Sequence, residues 1–290
     1  MQPNTILENH LGEGAKIGIV MIATNSYLQR WFDAAIGIED FAYPKNNVNI
    51  HLFTDQAESA KQWASSNLSR VNLITHEIPN YGWPEATLFR YKFIVENSNS
   101  FEEELLMYLD SDMVVLNSFD EILEPNDWKN GLGFVQHPGY FRPKGTQGFL
   151  CRLRNPNLIV QDIRQLLTTG NISPGSWESR RHSTAFVSRE KRTTYVHGAV
   201  WFGLRHSFLE MSRELAENIS QDLSNGITAV WHDESHLNWY YAEVGGSILD
   251  SRLSYVPNYG WNKFSDPRIM NVEKRVGEGR IPTSLFEQNR

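Results

Sequence analysis

The sequence lacks three features that would each indicate a particular class of protein. It has one cysteine, Cys151, so no disulfide can form within the chain and nothing indicates an oxidising compartment. Its longest apolar run, residues 17–23, is far shorter than the roughly 20 residues that a membrane-spanning helix needs. Positive charge is also scarce: 27 lysines and arginines against 34 acids give a net charge of −7, which disfavours a nucleic-acid partner. We therefore expect a soluble, cytoplasmic protein with no signal peptide and no membrane span.

Apolar runs and amphipathic stretches alternate along the first 120 residues. Such alternation is typical of an α/β fold whose mostly parallel sheet is covered by helices on both faces. The predicted strands are 16–24, 48–54, 71–78 and 105–116, and the predicted helices are 26–38, 57–67 and 84–96.

The second half of the chain is less regular. A strand is predicted at 195–203, followed by helices at 207–223 and 233–242. Residues 137–194 are rich in Arg, Gly, Pro and Ser with weak periodicity. There we expect long loops around a few short elements, of the kind that often form substrate lids.

Two acids, Asp110 and Asp112, follow an apolar strand and are separated by one residue. On a straight strand both carboxylates would face the same side, where they could share one cation. Hard divalent ions such as Mg²⁺ and Mn²⁺ take carboxylate oxygens and bridge readily to a diphosphate. The pair therefore indicates a metal and nucleotide site at a strand end, although a solvated strand end would give the same pattern.

A second polar cluster, Trp-His-Asp-Glu-Ser-His, occupies residues 231–236. Its histidines, His232 and His236, have the i, i+4 spacing that grips zinc on a helix, but no third ligand is evident. Alternatively Asp233 and Glu234 begin a helix whose dipole favours them, with Glu234 directed at a sugar. A capping segment with one packed tryptophan is the third interpretation.

The longer run 225–238, NGITAVWHDESHLN, closely resembles the signature of glycosyltransferase family 6, which includes the blood-group A and B transferases and α-1,3-galactosyltransferase. Four other segments are similar to family segments in the same order: FTDQ at 53–56, DSD at 110–112, HPGY at 137–140 and HGA at 197–199. The resemblance covers about residues 17–280, with a poorly matched centre at 142–190.

This resemblance implies a single GT-A domain over residues 1–290. Its halves would be a nucleotide-sugar-binding part at about 1–120 and an acceptor-binding and catalytic part at 121–261, with a basic tail at 262–290 closing over the diphosphate. The implied reaction moves galactose or N-acetylgalactosamine from a UDP-sugar to the 3-hydroxyl of a β-galactoside, in α linkage with retention. The implied metal is Mn²⁺, with Mg²⁺ as an alternative.

The resemblance also implies roles for individual residues. Asp110 and Asp112 would hold the metal, Glu234 would be the catalytic residue, and Asp233 would hold donor-sugar hydroxyls. The other implied donor-binding residues are Ile22, Thr24, Tyr27, Arg90, Ser111, His197, Gly198, Ala199, Lys274 and Arg280. The acceptor would be bound by His137, Trp231 and Asn262.

Two positions depart from the family's better-known members. His197 and Ala199 match the pattern of galactose donors, whereas Gly198 does not. Asn262 stands where mammalian members have an acid, and a neutral amide can both donate and accept hydrogen bonds. Both metal aspartates are present, although many bacterial relatives have asparagines there, so we expect metal dependence.

Two other functions compete with a transferase. A catalytically silent glycan-binding module would keep the fold but would not need Asp110, Asp112 and Glu234. A zinc hydrolase would use His232 and His236.

Overall fold

The computed structural model describes residues 14–82, 84–141, 145–154, 156–169, 175–257 and 266–272. The strands are β1 Lys16–Ile22, β2 Asn47–Thr54, β3 Asn72–Glu77, β4 Leu105–Leu109, β5 Met113–Val115, β6 Leu132–Gln136, β7 Val196–Leu204, β8 Ser247–Leu249 and β9 Ile269–Asn271. The helices are α1 Tyr27–Phe41, α2 Ala57–Asn67, α3 Glu85–Leu88, α4 Arg90–Glu96, α5 Gly145–Arg154, α6 Pro156–Thr169, α7 Arg205–Ser224 and α8 His232–Glu243.

Seven strands form the central sheet in the order β3-β2-β1-β4-β7-β6-β8. Strands β3, β2, β1 and β4 are mutually parallel, whereas β7 runs antiparallel to both of its neighbours. A separate antiparallel pair joins β5 to β9. The predicted GT-A-type α/β fold with a mostly parallel sheet is therefore confirmed.

The sheet is buried on both faces because side chains alternate along each strand. Ile19 and Met107 point into an apolar core shared with α1, whereas Val20 and Tyr108 point into a second core shared with α4, α7 and α8. Helix α1 lies close to β5, since a Cβ on Gly37 would come within 2.5 Å of the carbonyl oxygen of Val115. None of the described helices combines the length and apolar composition needed to cross a bilayer.

Two predictions of local structure are wrong. The strand predicted at 105–116 is two strands, because the chain turns at Asp110, whose carbonyl accepts a hydrogen bond from the Met113 amide (3.0 Å). The loops predicted within 137–194 include two helices, α5 and α6, of 10 and 14 residues. Both helices carry apolar residues at helical spacing, which the Arg-, Gly- and Pro-rich composition of the surrounding segment hides.

Candidate active site

The candidate site lies where the carboxyl ends of β1 and β4 meet the start of β7. Strands β4 and β7 are antiparallel, with Leu109 opposite Val200, and the Asp110 amide donates to the Ala199 carbonyl (2.9 Å). The residues that follow β4 therefore face the first residues of β7. Open α/β sheets place ligands at this edge.

A cleft of about 190 Å³ opens at this edge. Thr24 in its wall donates through its hydroxyl to the Tyr81 carbonyl (3.1 Å), which joins the loop after β1 to the segment before α3. The cleft is lined by Ile22, Thr24, Asn25, Ser26, Tyr27, Tyr81, Gly82, Ala86, Thr87, Tyr108, Asp110, Ser111 and Asp112. It thus brings together six of the residues predicted from sequence for the nucleotide and the metal.

The two predicted metal ligands lie in the turn between β4 and β5 and not on a straight strand, so the shared-face argument for them was wrong. Both nevertheless line the cleft, together with Ser111 between them. The Asp110 carboxylate accepts a hydrogen bond from the Tyr108 hydroxyl (2.8 Å), and 30% of its side chain is exposed. The turn offers two carboxylates and a hydroxyl, the oxygen donors that Mn²⁺ and Mg²⁺ prefer.

Arg90, at the start of α4, connects the acids of the site. It is almost fully buried, and its guanidinium lies 2.9 Å from an Asp233 oxygen and 3.5 Å from an Asp110 oxygen. A third contact is a hydrogen bond to the Gly198 carbonyl (2.6 Å). Burial is the largest single effect and lowers the pKa of Arg90, but the electrostatic effects of Asp233, Tyr108 and Asp110 together outweigh it, so the pKa is raised and Arg90 stays charged.

Gly198 on β7 links Arg90 to Glu234 on α8. Its carbonyl accepts from Arg90, and its amide donates to a Glu234 carboxylate oxygen (2.8 Å). A Cβ at this position would lie 3.1 Å from both Cβ and Oε2 of Glu234. Glycine therefore lets the carboxylate sit directly against the strand.

Asp233 and Glu234 both have a raised pKa. Burial is the largest cause and raises the pKa of each carboxyl to about 7, even though Arg90 acts to lower both values. The charge of Asp110 raises both further. Three acids around one arginine thus leave the site short of positive charge, and perturbed carboxyls of this kind cluster at functional sites.

Two features fix the start of α8: a left-handed backbone conformation at His232 and the buried carboxylate of Glu178. His232 adopts a left-handed conformation (φ 47°), which costs of the order of 1 kcal/mol or more in a non-glycine residue. The Trp231 amide donates to the Ser235 hydroxyl (2.9 Å), and the Trp231 side chain is half exposed. Glu178 accepts a hydrogen bond from the Val230 amide (2.9 Å), next to that tryptophan.

Glu178 was not predicted from the sequence. Burial raises its pKa, but hydrogen bonds from Arg180 and from the Val230 amide outweigh burial and lower the pKa to about 2. Arg180 in turn donates to the Thr228 carbonyl (2.7 Å). The ionised Glu178 and its partner Arg180 therefore fix the segment before α8 through hydrogen bonds. This role is visible from the contacts in the structure and not from a sequence motif.

His137 and His197 form the other wall around Glu234. Their rings lie 4.7 Å apart, and Nδ1 of His197 is 2.7 Å from the Ser254 hydroxyl. Nδ1 of His137 accepts from the Gly139 amide (3.0 Å), so neutral His137 carries its hydrogen on Nε2 as a donor. This arrangement suits a ligand hydroxyl.

Among the described residues, one group of three potential metal ligands stands close together: His137, His197 and Glu234, within 4.8 Å of one another. His232 and His236 are not part of such a group. His236 is buried, with Nε2 3.7 Å from Asp222, and His232 is partly exposed. The geometry gives no support to the predicted zinc alternative.

Three predicted residues, Asn262, Lys274 and Arg280, lie outside the described residues. Most of the other predicted residues line the cleft or take part in the contacts around Arg90 and Glu234. Trp231 lies just before α8. Tyr108 was also missed by sequence reasoning. Its buried ring packs under the Arg90 guanidinium at 4.4 Å, and its hydroxyl binds Asp110.

Comparison with known proteins relates the chain to one family of enzymes. The sequence profile of Glycosyltransferase family 6 matches residues 161–274, the stretch that holds β7, α7 and α8. The O-antigen biosynthesis glycosyltransferase WbnI of Escherichia coli is 25% identical over 267 residues, covering 91% of this chain and 98% of the relative. Over this stretch the chain resembles glycosyltransferase family 6. The similarity to the glycosyltransferase WbnI extends far beyond the profile match.

Animal family 6 proteins are also similar to this chain. Histo-blood group ABO system transferase 1 of Rattus norvegicus is 34% identical over 232 residues, covering 79% of this chain and 57% of the relative. Globoside alpha-1,3-N-acetylgalactosaminyltransferase 1 of Homo sapiens is 26% identical over 255 residues, covering 85% and 61%. The chain thus spans about three fifths of the length of these two animal relatives.

The ionisable groups inside the protein predict how its stability depends on pH. Four buried or partly buried histidines have a pKa lowered mainly by burial. The pKa is about 4 for His76, His137 and His236, and it lies well below the usual value for His197. Below about pH 6.5 the unfolded chain protonates these histidines and the folded chain does not. Asp233 and Glu234 have the opposite effect, because their raised pKa values make the folded chain bind two protons near pH 7 that the unfolded chain does not bind. When both groups are counted, the unfolded chain binds about two more protons than the folded chain near pH 5.5.

We therefore expect the free energy of unfolding to fall by roughly 2–3 kcal/mol per pH unit as the pH drops from 6 to 5. Urea titrations at several pH values measure this slope. Glu234→Gln removes one opposing proton and should steepen the slope by about 1.4 kcal/mol per pH unit. A stability that does not change between pH 6 and 5 would contradict these ionisation states.

Proposed function

We propose that this protein transfers galactose, or alternatively N-acetylgalactosamine, from a UDP-sugar to the 3-hydroxyl of a β-galactoside in α linkage. The observation that carries the proposal is the chain of contacts centred on Arg90. It joins Asp110 at the cleft to Asp233, and through Gly198 to Glu234. A donor with its nucleotide in the cleft would therefore bring its sugar over Asp233 and Glu234.

The nucleotide has a suitable place in the cleft. Ile22, Thr24 and Tyr27 would contact the uridine, and the diphosphate would reach the turn at Asp110 and Asp112. These two acids, with Ser111, fit a hard divalent ion by the chemistry of their oxygen donors. When bound there, Mn²⁺ or Mg²⁺ would supply positive charge to neutralise the departing UDP. In the tail, Lys274 and Arg280 would add cations over the same diphosphate.

Glu234 would act on the β-face of the donor sugar. As the bond from the anomeric carbon to the phosphate oxygen breaks, positive charge develops on that carbon. The Glu234 carboxylate would either form a covalent bond to the carbon or stabilise the charge while the acceptor hydroxyl attacks from the side of the leaving group. Either route retains the anomeric configuration, by the stereochemical reasoning that applies to retaining glycosidases.

Asp233 would hold donor hydroxyls, with its orientation fixed by Arg90. His137, Trp231 and Asn262 would bind the acceptor. The half-exposed indole of Trp231 supports this role, since a flat aromatic face stacks on a sugar ring. Positioning of both substrates can lower the barrier by several kcal/mol.

Gly198 allows a direct test of the Glu234 position. Gly198→Ala places a methyl group against Cβ and Oε2 of Glu234, so the carboxylate must shift by a few tenths of an ångström. We expect the turnover rate to fall roughly tenfold, since a 1 Å misplacement can cost a hundredfold. Calorimetry should find UDP affinity unchanged, because the nucleotide cleft is not lined by Gly198. Full activity in this variant would argue against close packing as the function of the glycine.

The choice between donors rests on His197, Gly198 and Ala199. His197 and Ala199 match the galactose pattern, and Gly198 is occupied on its open side by Glu234. The missing side chain at Gly198 therefore makes room for the catalytic carboxylate and not for an N-acetyl group. This favours UDP-galactose.

The test is a substrate screen. UDP-galactose and UDP-N-acetylgalactosamine are each incubated with β-galactosides, with and without Mn²⁺, and UDP release and product mass are measured. We expect transfer that requires the metal and is faster with UDP-galactose. UDP binding without release or transfer from either donor would instead favour the catalytically silent glycan-binding module.

A further inference from the structure

Helices α5 and α6 form a hairpin whose apolar side chains face outward. Twelve large apolar side chains among those described are more than a third exposed, and eight of them lie on these two helices. The eight are Phe149, Leu150, Leu153, Ile159, Val160, Ile163, Leu166 and Leu167. So dense a cluster of exposed apolar residues marks an interaction surface.

The exposed residues of α6 share one face of the helix. Ile159, Ile163 and Leu166 follow the 3–4 spacing of a helical stripe, and Val160 and Leu167 widen it to about 120° at about 100° per residue. A stripe of this kind normally faces a protein core. Here Leu167 is 79% exposed and Val160 is 62% exposed.

The hairpin is also basic in an acidic protein. Residues 145–169 carry three arginines, Arg152, Arg154 and Arg164, and one acid, Asp162, in a chain whose net charge is −7. Asp162 accepts from Arg152 (3.1 Å). Arg154 and Arg164 are exposed beside the apolar stripe. The remainder of the chain is therefore even more acidic than the whole.

We propose that the α5–α6 hairpin docks on the surface of a lipid bilayer that contains anionic headgroups. Apolar side chains flanked by arginines are the composition of helices that lie in a membrane interface. An anionic surface repels the acidic remainder and attracts the hairpin, so the charge distribution orients the protein. A second copy of the chain fits this surface less well, because packing one hairpin against another would bring the positive charges of their arginines together.

The base of the hairpin adjoins the candidate acceptor side. The hydroxyls of Tyr140, which precedes α5, and Ser176, which follows α6, are hydrogen bonded. The Tyr140 ring contacts His137, whose ring contacts His197. Docking would therefore hold the His137 side of the site near the lipid surface, a consequence that rests on the proposed function although the docking itself does not.

Vesicle flotation tests the proposal. The full chain is mixed with vesicles of phosphatidylcholine alone or with phosphatidylglycerol added. We expect binding to the anionic vesicles that weakens as salt is raised. The double variant Ile163→Asp, Leu167→Asp should bind at least about tenfold more weakly, because both side chains would lose contact with the acyl region.

A second variant isolates the charge contribution without touching the apolar stripe. Arg154→Gln with Arg164→Gln should weaken binding to anionic vesicles by about tenfold and leave binding to neutral vesicles unchanged. The control, Leu223→Asp with Ile248→Asp, alters exposed apolar residues outside the hairpin and should bind as the unaltered chain does. Thermal unfolding and UDP binding of each variant report folding separately.

Three outcomes would overturn the proposal. The first is no binding of the unaltered chain to anionic vesicles. The second is binding that neither hairpin variant weakens. The third is a dimer in analytical ultracentrifugation that the apolar variant converts to a monomer, without vesicle binding, because the hairpin would then be an interface between two copies.

Discussion

Replacing Glu234 with glutamine is expected to lower the rate of glycosyl transfer by about 10²-fold or more while UDP still binds. The amide has nearly the shape of the carboxylate and can still accept from the Gly198 amide, so the local structure should persist. It cannot form the covalent bond or stabilise the positive charge at the anomeric carbon. Initial rates of UDP release, with and without acceptor, measure the loss, and calorimetry measures UDP binding.

Glu243→Gln is the matched control for this prediction. Glu243 lies at the other end of α8, where it pairs with Lys191 at the surface. The control should turn over as the unaltered protein does. Turnover close to normal in Glu234→Gln would remove Glu234 from the reaction.

The same substitution is expected to stabilise the fold at alkaline pH. Burial raises the pKa of Glu234 to about 7, so above pH 7 the ionised carboxylate costs stability in the folded state. A neutral amide avoids this cost. The melting temperature at pH 8 should therefore rise by about 2 °C or more. An active-site acid that is unfavourable for folding and required for turnover shows the usual conflict between stability and function.

Replacing Asp110 or Asp112 with asparagine should have the second large effect, on metal-dependent nucleotide binding. The neutral amides would remove one negative charge each from the turn between β4 and β5. We expect the affinity for Mn²⁺ in the presence of UDP to fall by at least about 10–100-fold, the cost typical of losing even an outer-shell partner. Calorimetric titration of UDP with and without Mn²⁺ measures this.

Asp127→Asn is the control for the metal experiment. Asp127 is exposed and lies outside the cleft, yet its substitution changes the net charge by the same amount. Mn²⁺ should strengthen UDP binding in this control as it does in the unaltered protein. An unchanged metal effect in both Asp110→Asn and Asp112→Asn would contradict the assignment of these acids as metal ligands.

Periodicity in the sequence predicted most of the elements that build the sheet and its helices. Helix α2 was predicted at its observed bounds, and β7, α7 and α8 within about two residues at each end. These elements bury continuous or amphipathic apolar patterns, which a sequence displays directly. The short strands β6, β8 and β9 were missed because three to five residues carry too little pattern.

The two wrong predictions have a physical explanation. The apolar run 105–116 reads as one strand, but hydrogen bonding of the Asp110 carbonyl to Met113 closes a turn that hydrophobicity does not reveal. In the second case, residues 145–169 carry helical apolar spacing whose stripe is not buried against the rest of the chain. The Arg-, Gly-, Pro- and Ser-rich composition of residues 137–194 led instead to a prediction of loops.

The sequence predicted residues for the candidate site but not which of them are in contact. The family resemblance pointed to Arg90, yet only the fold places it between Asp110, Asp233 and Gly198, which are separated by many residues along the chain. Glu178 had no motif at all, because its partners are the backbone amide of Val230 and the side chain of Arg180. The contacts of Arg90 and the contact of Glu178 with Val230 join distant parts of the chain and follow from topology.

The most direct test of retaining transfer at the Arg90-centred site is the configuration of the first product. Proton NMR of the reaction of UDP-galactose with a β-galactoside reports the coupling of the new anomeric proton, and the configuration persists because a glycosidic bond does not mutarotate. Retaining transfer predicts an α linkage, which Glu234→Gln should form about 10²-fold or more slowly. A β-linked product would contradict it, because inversion needs no carboxylate beneath the donor sugar.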